Sequence, residues 1–192
     1  FNFATQSSRS PGSTIKPLIV YTPAIEAGWS INKTVHDKPT DYNGWAPLNA
    51  DRQWHGDMPM YQALANSYNI PAINTFKSIG IKTGIEKGKQ FGLNLTSKND
   101  NLTTALGAGV GTNPWQMAQA YATFANDGIM NDAHLIKKIV NASGQTIATA
   151  KVKSKRVIDS NTAQKMTSMM LGTYTNGTGI YAAPYGYTLA GD

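Results

Sequence analysis

The stretch RSPGSTIKP, residues 9–17, decides how the rest of the chain is read. Pro11 and Gly12 form a turn signal. From Ser13 onward Ile15, Leu18, Ile19, Thr22 and Ile25 recur at roughly helical spacing, which predicts a helix over 13–27 with Ser13 at its N-terminus. A serine at that position is most often a cap and nothing more. Lys16 adds a second reading, because residues three apart share a helix face and its amine can reach the Ser13 hydroxyl. A serine hydroxyl is a poor nucleophile until a base takes its proton. A lysine can act as that base when burial and neighbouring positive charge make its neutral form accessible. The free N–H groups of a helix start would also favour negative charge developing on a substrate. Pro17 is awkward inside a helix but tolerable in its first turn.

The 192 residues suffice for one substantial core or for most of a larger domain. With no cysteine in the chain, disulfides and thiolate metal sites are excluded. A net charge of +6 and a pI near 9.4 are moderately basic, but the lysines are spread. Only KVKSKR, residues 151–156, forms a run, and it reads as a solvated strand or loop rather than a nucleic-acid site. No stretch approaches the roughly 20 apolar residues of a membrane span, and no signal peptide is visible. The abrupt start at Phe1 and stop at Asp192 read as an excised piece of something longer.

A polar, aromatic stretch over 32–57, broken by Pro39, Gly44, Pro47 and Gly56, is long for a structureless loop and suggests a functional or surface-wrapping role. Trp45 and Trp54 within it could line a groove, although loop packing is the commoner role. Helices are predicted over 58–68, with Tyr61, Leu64 and Ala65 inward, and over 71–79 and 83–91. A Gly- and Ala-rich segment, 102–112, precedes a helix over 113–126, whose Trp115, Met117, Ala118, Tyr121, Ala122 and Phe124 suggest burial on most sides. Segments 135–140 and 146–152 predict a hairpin around Ala142, Ser143 and Gly144. A last helix, 160–171, places its methionines in the core, and 187–190 predicts a strand.

Ser67, Tyr68 and Asn69 supply a second polar pair, Ser67 and Asn69 two apart at a helix end. S-x-x-K followed by such a pair is part of the signature of penicillin-binding proteins and serine β-lactamases. The chain resembles the transpeptidase domain of class A (bifunctional) penicillin-binding proteins. The resemblance rests on FNFATQSSRSPGSTIKP, WAPLN, HGDMPMYQALANSYNIPA, LGAGVGTNPWQMAQAYATFANDG and NGTG, and so spans essentially all of 1–192 as a partial transpeptidase domain.

That resemblance implies an α+β, mostly helical fold lacking much of the family's central antiparallel sheet. It also implies Ser13 as the acylated nucleophile and Lys16 as its general base or proton shuttle. Ser67 would relay a proton to the leaving amine, while Asn69 would orient Lys16 and hold the substrate amide. The implied partners are peptidoglycan stem peptides ending in D-Ala-D-Ala and β-lactams that mimic them, with no metal, organic cofactor or nucleic acid. The implied location is the outer face of the bacterial cell membrane, reached through an N-terminal anchor outside this chain.

The pattern departs from the family at its third motif. Lys82-Thr83-Gly84 matches K-T-G in letters but opens a predicted helix, whereas the motif belongs on a late strand, after Leu189-Ala190-Gly191, where this chain has Asp192. An aspartate there would remove a substrate-binding cation, and losing the strand would remove one of two oxyanion donors, which typically costs about 100-fold to 1000-fold in rate. A missing sheet would also expose an apolar face, which predicts self-association.

The alternative to an acyl transferase is therefore a non-catalytic or crippled penicillin-binding or sensor module. A β-lactamase would need a carboxylate for deacylation, and Glu26 and Glu86 read as helix surface. A histidine-assisted hydrolase finds no spacing that ties His36, His55 or His134 to Ser13.

Overall fold

A computed structural model describes residues 1–191, and its centre is the segment that begins at Ser13. After a short helix α1 (Phe3–Gln6), the chain makes a 3-10 turn (Gly12–Ile15), a π-helical turn (Pro17–Tyr21) and then α2 (Thr22–Glu26). The predicted helix over 13–27 is thus three helical geometries end to end. Proline chemistry explains the change. Pro17 has no N–H to give to the Ser13 carbonyl, which instead accepts from the Lys16 N–H in a tighter turn. The Thr22 N–H then reaches back five residues to the Pro17 carbonyl, giving the wider one. Residues 15–25 are all buried, so this is a core helix rather than an amphipathic one.

Two antiparallel strands, β1 (Thr34–Asp37) and β2 (Gly56–Pro59), zip the ends of the long polar stretch together, pairing Thr34 with Pro59 and Asp37 with Gly56. The next helix, α3 (Met60–Ala65), is shorter than the predicted 58–68 because Met58 and Pro59 are extended in β2. Its buried residues are Met60, Ala63, Leu64 and Ala65, so Leu64 and Ala65 face inward as expected and Tyr61 is exposed.

Helices α4 (Asn69–Ile79) and α5 (Ile81–Gln90) each start two residues before the predicted limits. Lys82-Thr83-Gly84 lies in the first turn of α5, on a helix and not a strand. Gly84 has its own reason to be there: a Cβ on it would come within 2.4 Å of the Ile19 carbonyl oxygen, so only glycine lets α5 lie against the π-helical turn.

Helix α6 (Pro114–Ala125) is capped by the Asn113 side chain, which accepts from the Gln116 N–H. It buries one face, through Ala120, Thr123 and Phe124, and leaves Ala118 and Ala122 exposed, so the expected burial on most sides is corrected. Four short strands follow. In chain order they are β3 (Ile129–Asn131), β4 (Lys138–Val140), β5 (Thr146–Thr149) and β6 (Ser154–Arg156). The predicted hairpin is β4 with β5, and β3 pairs with β6. The basic run ends in β6, whose residues are exposed as expected.

Helix α7 (Ser160–Thr175) outruns its predicted end and buries Met166, Met169 and Met170 against the core. The strand expected over 187–190 is not formed. That segment is irregular, and the chain is tied down by the Gly191 N–H to the Met170 carbonyl (3.1 Å) and by the Thr173 hydroxyl to the Gly191 carbonyl (2.7 Å). Asp192, and with it the expectation about the third motif, lies outside the described residues.

The architecture is α+β and mostly helical. Among the described residues no sheet exceeds two strands, and no helix is long and apolar enough to cross a membrane.

Candidate active site

Ser67 sits at the C-terminal end of α3 in a left-handed conformation, φ 53°. Its N–H donates to the Leu64 carbonyl at 2.9 Å and the Tyr68 N–H to the Ala63 carbonyl at 3.0 Å. This pair of bonds is the Schellman cap, which ordinarily places glycine in the left-handed position. The cap turns the Ser67 hydroxyl and carbonyl to the same side as the side chain of Asn69, the first residue of α4.

Lys16 meets all three. It is fully buried, and its Nζ lies 2.7 Å from the Ser67 carbonyl oxygen, 3.0 Å from Ser67 Oγ and 2.9 Å from Asn69 Oδ1. Ser13, half-buried, is three residues before Lys16 on the 3-10 turn, where side chains at i and i+3 eclipse. Residues more than fifty apart in sequence, Ser13–Lys16 and Ser67–Asn69, are thereby brought to one place. Ser67 and Asn69 contact Lys16 directly, and Ser13 lies one turn from it.

The Gly- and Ala-rich segment holds the Ser13 turn from the other side. Arg9 and Thr112 exchange backbone bonds of 2.9 Å, Ser10 Oγ donates to the Gly107 carbonyl at 2.7 Å, and Tyr121 Oη to the Thr14 carbonyl at 2.7 Å. A Cβ on Gly107 would come within 2.5 Å of the Gly12 carbonyl oxygen, so the close approach requires glycine. Two open concavities flank the turn. One of about 460 Å³ is lined by Arg9, Ser10, Pro11 and Thr112, and one of about 280 Å³ by Thr14, Tyr121, Tyr174 and Gly191.

A family profile for the penicillin binding protein transpeptidase domain matches residues 1–191. The chain belongs to that family. Within it, penicillin-binding protein 2a of Streptococcus pneumoniae is 55% identical over all 192 residues, which cover 26% of that protein. Penicillin-binding protein 1A/1B of Bacillus subtilis is 37% identical over 198 aligned residues, covering all of this chain and 21% of that one. Among solved structures, penicillin-binding protein 1A from Haemophilus influenzae aligns with all of the chain at TM-score 0.80 and 27% identity, over 32% of its own length. The D,D-transpeptidase domain of a peptidoglycan glycosyltransferase from Eggerthella lenta shares the fold at TM-score 0.87 over 99% of the chain and 54% of its own. The chain thus spans about a quarter of the length of the curated relatives it matches.

The cluster has a support that the sequence did not reveal. Asn69 also gives its backbone N–H to Asn49 Oδ1 at 2.8 Å and its side-chain Nδ2 to the Leu48 carbonyl at 2.7 Å. Asn49 in turn gives Nδ2 to Asp37 Oδ2 at 2.7 Å. The same carboxylate oxygen receives the His55 N–H at 3.0 Å, with His55 Nδ1 at 2.9 Å, and the His55 ring stacks on Tyr68 at 4.1 Å. Burial, and after it the charges of Asp51 and Asp37, hold the Tyr68 phenol above its ordinary pKa. The length and polarity of 32–57 were the only signal. Of its aromatics, Trp45 packs on Tyr42 and the core, and Trp54 is exposed. Glu26 pairs with Lys87 at 2.8 Å, and Glu86 is exposed on α5.

Proposed function

We propose that this chain carries the acyl-transfer chemistry of a D-Ala-D-Ala transpeptidase that cross-links peptidoglycan stem peptides, with Ser13 as nucleophile. The observation that supports this best is the Lys16 amine held against Ser67 and Asn69 within one turn of Ser13. In this reading Ser13 Oγ attacks the carbonyl of the D-Ala-D-Ala bond as its proton passes to neutral Lys16. The Ser13 N–H would face the developing oxyanion.

The contacts suggest how the proton moves on. The Ser67 carbonyl and Asn69 Oδ1 can only accept from Nζ, whereas the Ser67 hydroxyl can accept from the ammonium or donate to the neutral amine. Ser67 is therefore the contact that serves either protonation state, and it would carry the proton to the departing D-alanine nitrogen. An amine of a second stem peptide then attacks the Ser13 ester, releasing the serine and forming the cross-link. β-Lactams would acylate Ser13 by opening their ring. The membrane anchor and the domain limits 1–192 belong to the same proposal.

The test is intact-mass spectrometry after incubation with a penicillin, beside Ser13→Ala. A one-to-one adduct that disappears in the variant is the expected outcome. No adduct would favour a non-catalytic binding or sensor module.

A further inference from the structure

The long polar segment between β1 and β2 ends in a chain of hydrogen bonds whose direction is set at each link. Asp37 is fully buried and its Oδ2 can only accept. Asn49 must therefore turn its NH2 toward it, and the second hydrogen of that NH2 goes to the Gln53 carbonyl at 2.8 Å. Asn49 Oδ1 is left facing away as an acceptor, and the Asn69 N–H fills it at 2.8 Å. Leu48 repeats the constraint one residue earlier: its carbonyl can only accept, so it takes Asn69 Nδ2 at 2.7 Å and leaves Asn69 Oδ1 for Lys16 Nζ at 2.9 Å. Turning the Asn69 amide over would set oxygen against oxygen at Leu48 and NH2 against the amine of Lys16. Asp37 and Asn49 thus anchor the Asn69 backbone, while the Leu48 carbonyl, next to Asn49 in the chain, sets which end of the Asn69 amide meets the lysine.

We propose that Asp37 and Asn49 are positioning residues for the transpeptidase site: they anchor the Asn69 backbone and the adjoining Leu48 carbonyl, and through them the place of the amide oxygen that meets Lys16. This rests on the functional reading above. Each reaches the site through Asn69. His55 closes the arrangement from the opposite side, bonded to Asp37 and Asp51 and stacked on Tyr68, the residue between Ser67 and Asn69. Placement errors of about 1 Å can cost on the order of 100-fold in rate, whereas loss of a ligand contact also raises the half-saturating concentration.

The experiment measures penicillin acylation of Ser13 in the full-length protein by time-resolved intact mass, varying penicillin to separate the limiting rate from the half-saturating concentration. Asn49→Ala is expected to lower the limiting rate about 10-fold to 100-fold, with half-saturation within about threefold of wild type and every molecule labelled at the end. Asn49→Asp sets two carboxylates together and should be slow as well. A limiting rate in Asn49→Ala equal to wild type would overturn the inference. So would a lower labelled fraction whose molecules react at the wild-type rate, since that reports misfolding alone. If wild type itself forms no adduct that Ser13→Ala removes, the functional reading falls and this inference with it.

Discussion

A side chain at the left-handed position of Ser67 costs about 1–2 kcal/mol relative to glycine, and the site retains it. Such strain is characteristic of functional positions, because the surrounding structure over-determines the conformation. Here the cap bonds from Leu64 and Ala63 and the two contacts from Lys16 hold it. Ser67→Gly relieves the backbone but removes one hydroxyl contact worth about 1 kcal/mol. Its melting midpoint should therefore stay within a few degrees of wild type while acylation of Ser13 slows at least tenfold. Thermal unfolding followed beside adduct formation checks both halves, and a large loss of stability would contradict the account of the cap. Ser13, Lys16, Ser67 and Asn69 were legible because their relations are local, three and two residues apart. Asp37, Asn49 and His55 were not, since they reach Asn69 only once a loop has closed.

That closure depends on elements too short to announce themselves. β1 and β2 are four residues each, and Met58-Pro59 reads equally well as a helix start, which is why the predicted helix over 58–68 absorbed half of β2. Longer elements were legible from caps and periodicity: α6 begins at Asn113-Pro114 and α7 at Asp159-Ser160. The α7 cap also makes a testable pH dependence. The Asp159 carboxylate accepts from the Thr162 N–H at 2.6 Å, and that bond, with nearby Lys165 and Arg156, holds its pKa below the ordinary 3.8. A lowered folded-state pKa means the stabilisation is present above 3.8 and is lost as pH falls through the lowered value. Asp159→Asn keeps an acceptor without the charge. Its melting midpoint should lie below wild type near pH 7, and the gap should close by about pH 2. A gap that persists there would show that the carboxylate charge is not what the cap uses.

At the scale of the whole molecule, the core gathers around residues 15–25, while apolar side chains remain outside it. Phe1 and Phe3 are exposed before and at the start of α1, and Leu135, Ile136, Ile139 and Ile147 are exposed on and beside the β4–β5 hairpin, whose two edges are unpaired among the described residues. Exposed apolar surface and open strand edges both favour association. We expect this chain, produced alone, to self-associate with rising concentration, measured by light scattering; a monomer across the range would refute it. The mixture of three helical geometries under the site was illegible for a different reason. Apolar spacing reports which residues face inward, and when all of 15–25 are buried it no longer reports pitch.

The π-helical turn at Pro17–Tyr21 has a consequence for how this site tolerates change. A π turn amounts to one residue more than a regular helix needs over the same span. Deleting a residue from 17–21 would restore even winding and leave α2 intact. Everything upstream would then rotate by about 100°, one residue's share of a helical turn. Ser13 and Lys16 would keep their relation to each other and lose Ser67 and Asn69 together. The surplus residue works as a phase setting: substitutions can accumulate around it, but a change in length there resets the register between the two halves of the site at a single stroke.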